Sequence, residues 1–380
     1  NPEELNTISA YINATFILGG AVGGFIAGIV CDKAGRKKSL ILAMGCLGLF
    51  TLLTGYMQYW QAIVACRFLT GCGLGAVLVA TTTIMMEEWP EKTRAIFMGF
   101  LSIAMPVGIF SAGLIDYLVS SWRQAFVIGA CPLILALCSV WLLKESGKWT
   151  DNRANANKEA TAGDSIFSSV YRLDLFTGAL IFGTMLIGLW AIFSWLPTWI
   201  QQLVSTGDAQ KPRGISMMMM GAGGLLGGFL SGWLINAFGA RKLMLLCFAV
   251  CASMSFVLFK INSVLSPVVY AEILVLALFF GVSQGALSVY IPHLFPVHVR
   301  GMATGFCFNI GRIFTATAVL FVGVLVTELG GYSNALFVFS LVFVLGAVVT
   351  FFSKDPIGEE PVEISELTIQ DLLKENVKNE

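Results

Sequence analysis

The stretch Gly28-Ile-Val-Cys-Asp32-Lys33-Ala-Gly35-Arg36-Lys37-Lys38 separates two long apolar segments near the beginning of the chain. These segments cover residues 9–31 and 39–57. Because roughly 20 apolar residues are enough to cross a bilayer as a helix, each segment is predicted to span a membrane. The stretch between them is therefore a short, strongly basic turn, and such turns favour the cytoplasmic side of a membrane.

The same pattern returns in the second part of the chain. The glycines and basic residues of the turn recur around Gly232, 204 positions after Gly28. A second motif, Trp89-Pro90 with Arg94, recurs 206 positions later in a related form. Two motifs that repeat in the same order at nearly the same spacing indicate a duplicated pair of helical halves, which is typical of secondary transporters.

The composition independently indicates a membrane protein. Hydrophobic residues make up 57% of the chain and charged residues only 12%, whereas an ordinary soluble domain has roughly 25% charged residues. The net charge of zero argues against a nucleic-acid partner. The nine cysteines are scattered through apolar segments without accompanying His or acidic residues, so we expect no metal site and no cofactor. No nucleophile, base and orienting group fall together, so we predict no enzymatic activity.

The basic turn resembles the signature loop between the second and third helices of the major facilitator superfamily, through Gly28-x3-Asp32-Lys33-x-Gly35-Arg36-Lys37-Lys38. The segment Arg67-Phe-Leu-Thr-Gly71-Cys-Gly73-Leu-Gly75 resembles a motif on that family's fourth helix. The resemblance covers nearly the whole chain. It implies an all-α membrane protein built from two pseudo-symmetric six-helix halves that work as a secondary transporter.

One span of the second half, residues 173–201, has no counterpart in the first half. We therefore expect that the first helix of a twelve-helix protein lies before Asn1, which leaves eleven spans in this chain. The predicted spans cover residues 9–31, 39–57, 61–86, 95–119, 124–143, 173–201, 215–237, 242–259, 268–292, 301–327 and 334–352.

These spans divide the chain into four predicted parts. They are an N-terminal half over 1–143 with helices 2–6, a cytoplasmic linker over 144–172, a C-terminal half over 173–352 with helices 7–12, and an acidic cytoplasmic tail over 353–380. With the turn of Asp32 inside, most cations fall in inside segments, as the positive-inside rule requires. We predict a monomeric, multi-pass protein of the plasma membrane, the bacterial inner membrane, whose partners are the lipid bilayer and its small-molecule cargo.

Arg312 is placed near the middle of a predicted span, and an intramembrane cation is a functional candidate by default. A guanidinium binds a carboxylate or phosphate through two parallel hydrogen bonds. The segment Asn309-Ile-Gly311-Arg312-Ile is similar to helix 11 of proton-coupled carriers of organic acids, including the sialate and aromatic-acid groups. This resemblance implies a symporter that imports a small organic anion with protons. The predicted substrate-binding residues are Arg312, Asn309, Gln284, Trp195 and Tyr290.

Three further charged residues within spans are candidates for proton coupling. Arg67 lies about two turns from the outer end of its span, and the resemblance implies that a helix-4 arginine takes part in coupling. Adding the repeat offset of 204–206 to the number of Arg67 gives positions 271–273, which include Glu272. The two residues are therefore expected to titrate or pair across the pseudo-twofold axis. Asp116 is the third candidate. The structural alternative for both acids is a solvated position at the membrane interface.

A gate is predicted at the basic turn. Asp32 ends its helix, where the macrodipole disfavours a negative charge, so a compensating partner is expected nearby. The resemblance implies that this acid meets the beginning of helix 11, near Arg300, and that a cytoplasmic latch holds the outward-open state. The predicted gate residues are Gly28, Asp32, Gly35, Arg36, Glu87, Glu88, Arg94 and Arg300.

Three alternative functions stay open at this point. A carrier of neutral sugars or polyols is the nearest, and Arg312 argues against it. A drug-type antiporter would carry a longer glycine and proline pattern on helix 5, of which Met105-Pro106-Val-Gly108 keeps only a fragment. A transporter-like receptor that binds without transport is the third, and counterflow into proteoliposomes would distinguish it.

Overall fold

The computed structural model describes residues 2–90, 101, 103–145, 167–204 and 208–355. Every regular element in this part of the chain is a helix. We number the helices α1 (Pro2–Ala34), α2 (Arg36–Tyr56), α3 (Trp60–Glu88), α4 (Ala104–Leu118), α5 (Trp122–Ile128), α6 (Cys131–Leu142), α7 (Arg172–Leu203), α8 (Gln210–Phe238), α9 (Ala240–Phe256), α10 (Pro267–His293), α11 (Val297–Glu328), α12 (Tyr332–Ser340) and α13 (Val342–Phe352), with a π-helical turn over Val257–Ile261 after α9.

Ten stretches of the described residues are helical, long and apolar enough to cross a membrane. They agree with ten of the predicted spans, and α4 covers part of the remaining one. Large apolar side chains on their outer surfaces, such as Trp141 and Phe352 with exposed fractions of 80% and 81%, face the region where lipid would lie. Apolar side chains are stable there because lipid tails take the place of water.

Two spans are interrupted where the sequence predicts continuous helices. The span over 124–143 is divided into α5 and α6 at Gly129 and Ala130. Pro132 at the beginning of α6 has no N–H to donate to the preceding turn, which accounts for this break. The last span is divided into α12 and α13 at Leu341, although the φ and ψ angles of this residue stay close to helical values.

The internal repeat predicted from the sequence appears as matching helix crossings. α1 crosses α3 so closely that a Cβ atom added at Gly23 would lie 2.0 Å from the carbonyl oxygen of Cys72. α8 crosses α10 in the same way, because a Cβ atom added at Gly227 would lie 1.9 Å from the carbonyl oxygen of Leu278. Gly227 follows Gly23 by 204 positions and Leu278 follows Cys72 by 206, so the same glycine contact is built twice.

The two copies of the basic turn lie at one end of the helices, which we call the basic end. Gly35 and Gly239, the turn glycines, have φ values of 102° and 80°, which residues with a side chain adopt only at a cost. We call the other end, where α4 ends and α8 begins, the opposite end. We call α1–α6 the first half and α7–α13 the second half. The halves pack against each other mainly through α1 on α11 and α4 on α8.

Candidate substrate site and gates

Arg312 lies on α11, where the second half faces α1 of the first half. Its guanidinium reaches the surface of α1, since a Cβ atom added at Gly24 would lie 3.8 Å from Nη1. The Arg312 side chain is half-buried. Among the described residues, the guanidinium of Arg312 makes a long hydrogen bond of 3.5 Å from Nη1 to Oδ1 of Asn309, and no carboxylate pairs with the guanidinium. The structure therefore places a partly desolvated cation between the halves with most of its donors free to bind an anion.

Asn309 lies one turn before Arg312 on the same helix face. Its Nδ2 donates a hydrogen bond of 3.0 Å to the carbonyl oxygen of Gly305. This bond fixes which way the amide group points and turns Oδ1 toward the guanidinium. The structure thus brings together two of the predicted substrate-binding residues, Arg312 and Asn309.

Gln284 and Trp195 carry buried donors without a partner. Nε2 of Gln284 on α10 and Nε1 of Trp195 on α7 make no hydrogen bond with any described residue. The Trp195 side chain is only 2% exposed, and its ring packs at 5.6 Å on that of Tyr332 at the beginning of α12. A buried donor that lacks a partner is destabilising, so both groups are suited to a ligand that brings an acceptor.

Tyr290 lies fully buried near the end of α10, at the basic end. Its hydroxyl is 2.5 Å from Oγ of Ser353 and donates to the carbonyl oxygen of Lys354 at 2.7 Å. These partners tie the end of α13 to α10 within the second half. In this conformation the Tyr290 hydroxyl is occupied by structural contacts, and its predicted contact with substrate stays a prediction.

Arg67 lies on α3 between two aromatic rings of the first half. Its Cζ is 4.4 Å from the ring centre of Phe16 on α1 and 5.5 Å from that of Phe126 on α5. Ring faces stabilise a guanidinium by cation–π attraction. Phe16 also meets Trp190 of the second half in an edge-to-face contact at 6.4 Å. Arg67 is therefore linked through Phe16 to the interface between the halves.

Glu272 on α10 has a local partner instead of Arg67. Its Oε2 accepts a hydrogen bond of 2.7 Å from Nδ2 of Asn262, which follows the π-helical turn. No ion pair joins Arg67 and Glu272, both of which the structure describes. The predicted pairing across the pseudo-twofold axis is therefore absent in this conformation, because each group is held by contacts inside its own half.

Asp116 lies at the end of α4 and pairs across the halves. Its Oδ2 is 3.6 Å from Nε of Arg213 on α8, and both side chains are 32% exposed. Nε2 of Gln210 donates to the carbonyl oxygens of Asp116 and Val119 at 2.7 and 2.8 Å. Cations and donors are favourable at a helix C-terminus, so α8 caps α4 from the other half. The sequence did not reveal this partnership, since nothing in the repeat links residues 116 and 213.

A second polar contact joins the halves at the opposite end. The hydroxyl of Tyr332, at the beginning of α12, donates to Oδ1 of Asn6 on α1. The ring of Tyr332 also packs against that of Trp195, as described above. The opposite end is therefore bridged twice, once between α4 and α8 and once between α1 and α12.

The contacts between the halves weaken toward the basic end. Cβ atoms added at Gly221 and Gly224 of α8 would lie 2.5 and 3.3 Å from atoms of α4, one added at Gly228 would lie 3.4 Å from Ile103 just before α4, and no described atom lies within 4 Å of one added at Gly232. On α1, a Cβ atom added at Gly24 would touch α11, whereas one added at Gly28 would meet no described atom. Among the described residues, the contacts between the halves are therefore close at the opposite end and are lacking at Gly28 and Gly232 toward the basic end.

At the basic end, two of the predicted gate residues, Arg36 and Glu87, form an ion pair. Nη2 of Arg36 is 2.8 Å from Oε1 of Glu87, and Nε donates to the same carboxylate at 3.1 Å. Nη1 donates to the carbonyl oxygen of Cys31 at 2.7 Å. This pair joins the beginning of α2 to the end of α3, so it lies inside the first half.

Glu145, just after α6, is a contact residue of the turn that sequence reasoning missed. Its Oε1 accepts a hydrogen bond of 2.9 Å from the backbone N–H of Lys37, in the first turn of α2, where a carboxylate is favourable. A side chain at Gly35 would force the Glu145 carboxylate to move, because a Cβ atom there would lie 2.4 Å from its Oε2. The signal available in the sequence was an acid directly after the last span of the half.

The remaining gate predictions are described only in part. Arg94 and the side chain of Asp32 lie outside the described residues. Glu88 is exposed at the end of α3. Nε of Arg300 donates to the carbonyl oxygen of Phe295 at 3.2 Å, within the loop that precedes α11. In the part of the chain that the structure describes, no cluster of His, Cys, Asp or Glu has an arrangement that would hold a metal ion.

Two relatives are similar over most of their length. The probable 4-methylmuconolactone transporter of Cupriavidus pinatubonensis is 29% identical over 337 residues, which cover 85% of this chain and 76% of the relative. The cis,cis-muconate transport protein of Acinetobacter baylyi is 25% identical over 366 residues, which cover 93% and 87%. Other relatives are likewise named as organic-acid carriers. The resemblance drawn from the residues around Arg312 is therefore confirmed.

The fold and the family are established by two further comparisons. The inward-open structure of the xylose transporter XylE from E. coli superposes with a TM-score of 0.76 at 16% identity, covering 97% of this chain and 90% of that one. The family model for the Major Facilitator Superfamily matches residues 3–313 and 213–377. With its duplicated, all-helical halves, the chain belongs to the Major Facilitator Superfamily and is a membrane transporter, not an enzyme.

Proposed function

We propose that this protein is a secondary active transporter that imports a small organic anion, a carboxylate, together with protons by alternating access. The observation that carries the proposal is Arg312, a cation between the two halves without a carboxylate partner among the described residues. Keeping an unpaired cation inside a membrane is costly, and a substrate carboxylate would offset that cost. The muconate carrier among the relatives supports an acid as the cargo.

The predicted substrate-binding residues are assigned by their chemistry. The guanidinium of Arg312 binds the carboxylate through two parallel hydrogen bonds, and Asn309 orients it. The unpartnered donor of Gln284 is assigned to another oxygen atom of the anion. Trp195 stays a prediction, because its ring packs on that of Tyr332 at the opposite end. A neutral sugar would leave the charge of Arg312 uncompensated, which favours an acid over the sugar alternative.

Alternating access is supported by the uneven contact between the halves. We assign the basic end to the cytoplasm because of its cations, and we infer an inward-open conformation from the close contacts at the opposite end. Asp116 with Arg213, and Asn6 with Tyr332, then form the outer gate. Arg36, Glu87 and the other predicted gate residues act when the basic end closes. The same proposal includes a cytoplasmic linker over residues 144–172 between the two halves. It also includes a monomeric state in the bacterial inner membrane.

Proton coupling is assigned to the charged residues within the spans. Asp116 is the most direct candidate, because protonation of its carboxyl group removes the ion pair with Arg213 across the halves. A proton taken up from outside would then loosen the outer gate. Arg67 and Glu272 stay candidates, with Arg67 acting through Phe16 at the interface.

The test is uptake by the purified protein in proteoliposomes. Labelled cis,cis-muconate and xylose are supplied with and without an inward proton gradient, to wild type, Arg312→Ala and the control Arg172→Ala. Arg172 is an exposed arginine at the beginning of α7. The proposal expects gradient-driven muconate uptake that Arg312→Ala abolishes and Arg172→Ala preserves. Uptake of xylose that does not depend on Arg312, or binding of acid without accumulation, would overturn it.

A further inference from the structure

The first half contributes a wall to the site of Arg312, and this wall lacks a side chain at Gly24. A Cβ atom added there would lie 3.5 Å from Oδ1 of Asn309, 3.8 Å from Nη1 of Arg312 and 3.8 Å from Cγ2 of Val79 on α3. Gly24 is buried. Three contacts at ordinary van der Waals distance show that one methyl group would fill this space, and that a longer side chain would meet Asn309 or Arg312.

The repeat provides a matched position in the other interface. Gly228 on α8 follows Gly24 by 204 positions, and Ile103 precedes Asn309 by 206. A Cβ atom added at Gly228 would lie 3.4 Å from Cγ2 of Ile103. Gly24 and Gly228 are therefore equivalent in the repeat, and so are the positions that they face, Asn309 and Ile103. Of these two interfaces, only the one at Gly24 has polar and charged facing groups.

We propose that Gly24 is a specificity-determining residue of the anion site. The space left by its missing side chain limits how large the substituents can be on the carbon next to the carboxylate of the anion. This inference rests on the proposed function and names the shape of its substrate. An acid whose carbon next to the carboxylate is flat fits between Arg312 and the α1 surface. An acid with a quaternary carbon at that position does not, because its extra methyl groups need the space of a side chain.

The position of Gly24 also ties binding to the movement of the halves. Arg312 belongs to the second half, whereas Gly24 and Val79 belong to the first. An anion on Arg312 therefore touches both halves at once. Binding energy from such a ligand is available to bring the halves together, and the thickness of the ligand at Gly24 sets how closely they approach.

The first test measures muconate uptake by Gly24→Ala and by the matched control Gly228→Ala. We expect Gly24→Ala to raise KM about tenfold, whereas Gly228→Ala changes it less than twofold. Both variants are expected to keep the thermal midpoint of the wild type. Crotonate, which is flat beside its carboxylate, should compete with muconate in the wild type, and pivalate, which has a quaternary carbon there, should not.

A second pair of variants places a longer side chain at the site, with and without a charge. Gly24→Asp and Gly24→Asn both reach past the space of one methyl group, so both should abolish muconate uptake, and Gly24→Asp should also pair with Arg312. Equal effects of Gly24→Ala and Gly228→Ala on KM, or muconate uptake by either longer variant equal to that of the wild type, would overturn the role of Gly24 while the proposed function stands. Absence of acid uptake by the wild type would overturn both.

Discussion

The two interfaces between the halves are copies of one another, yet they carry different chemistry. At the α1–α11 interface, Gly24 faces Asn309 and Arg312. At the α4–α8 interface, the corresponding Gly228 faces Ile103, and Pro106 stands where the repeat offset of Arg312 falls. The α4–α8 interface instead concentrates its charges at the opposite end, where Asp116 meets Arg213. In our proposal, duplication supplied two equal glycine surfaces, and substitution made one a binding surface and the other a gate.

The comparison also shows that both interfaces are loose at the level of Gly24 and Gly228, where the crossings inside each half are tight. Within the halves, added Cβ atoms at Gly23 and Gly227 would overlap backbone oxygens, so α1 with α3 and α8 with α10 are packed as rigid units. Between the halves, the added atoms at Gly24 and Gly228 stay at contact distance, and overlap with α4 begins nearer the opposite end, at Gly221. A transporter that rocks its halves needs interfaces that are looser there than its rigid units.

The largest effect is expected from reversing a charge at the opposite end of the α4–α8 interface. Asp116→Arg places a cation against Arg213, and we expect the population closed at this end to fall about tenfold. Spin labels at the exposed positions Tyr59 and Val264, on different halves at the opposite end, should report longer distances. Arg213→Asp in the same background restores an ion pair and should reverse the change. Distances unaffected by the reversal of charge would show that this contact does not hold the end closed.

An intermediate effect is expected from truncating the matched residues Asn309 and Ile103. Asn309→Ala removes the acceptor that orients Arg312, so we expect KM for muconate to rise about fivefold with an unchanged thermal midpoint. Ile103→Ala leaves a small cavity at a half-buried position, so we expect a loss of about 1 kcal/mol in stability and an unchanged KM. KM values and melting curves for both variants test this. A raised KM for Ile103→Ala would contradict the division of roles between the interfaces.

The smallest effect is expected from Tyr332→Phe. The variant loses the hydrogen bond to Asn6 across the halves but keeps the ring that packs on Trp195. One hydrogen bond contributes about 1 kcal/mol, so the same label distances should shift only in part, by less than for Asp116→Arg. A shift as large as that of the charge reversal would mean that the α1 side, and not the α4–α8 interface, is the main gate.

Much of the fold was predictable because the repeat and the apolar segments are properties of the sequence alone. The spans and the basic turns at Gly35 and Gly239 were anticipated, and the resemblance named Arg36 and Glu87 as gate residues without saying that they pair. The break at Gly129 depends on one proline near a helix start, which a search for apolar segments does not detect.

For the proposed site, the sequence could single out only residues whose rarity in a membrane makes them conspicuous. Arg312 is such a residue, and its contacts with Gly24 and Asn309 follow from the packing of α1 on α11. The partner of Asp116 was missed because it depends on which side chain a neighbouring helix presents, and that of Glu272 because it lies in the connection before α10. The repeat carries no information on either contact. Glu145 was missed for the same reason, since its contact lies more than one hundred residues away in the chain.

The measurement that tests the central claim most directly is equilibrium binding of labelled cis,cis-muconate to purified wild type, Arg312→Lys and Arg312→Ala. If Arg312 holds the carboxylate in a two-bond contact, affinity should fall about tenfold for the lysine variant, which keeps the charge without the fork, and at least about a hundredfold for the alanine variant. Unchanged affinity in both variants, with folded protein, would contradict the account and assign Arg312 to the packing of the halves.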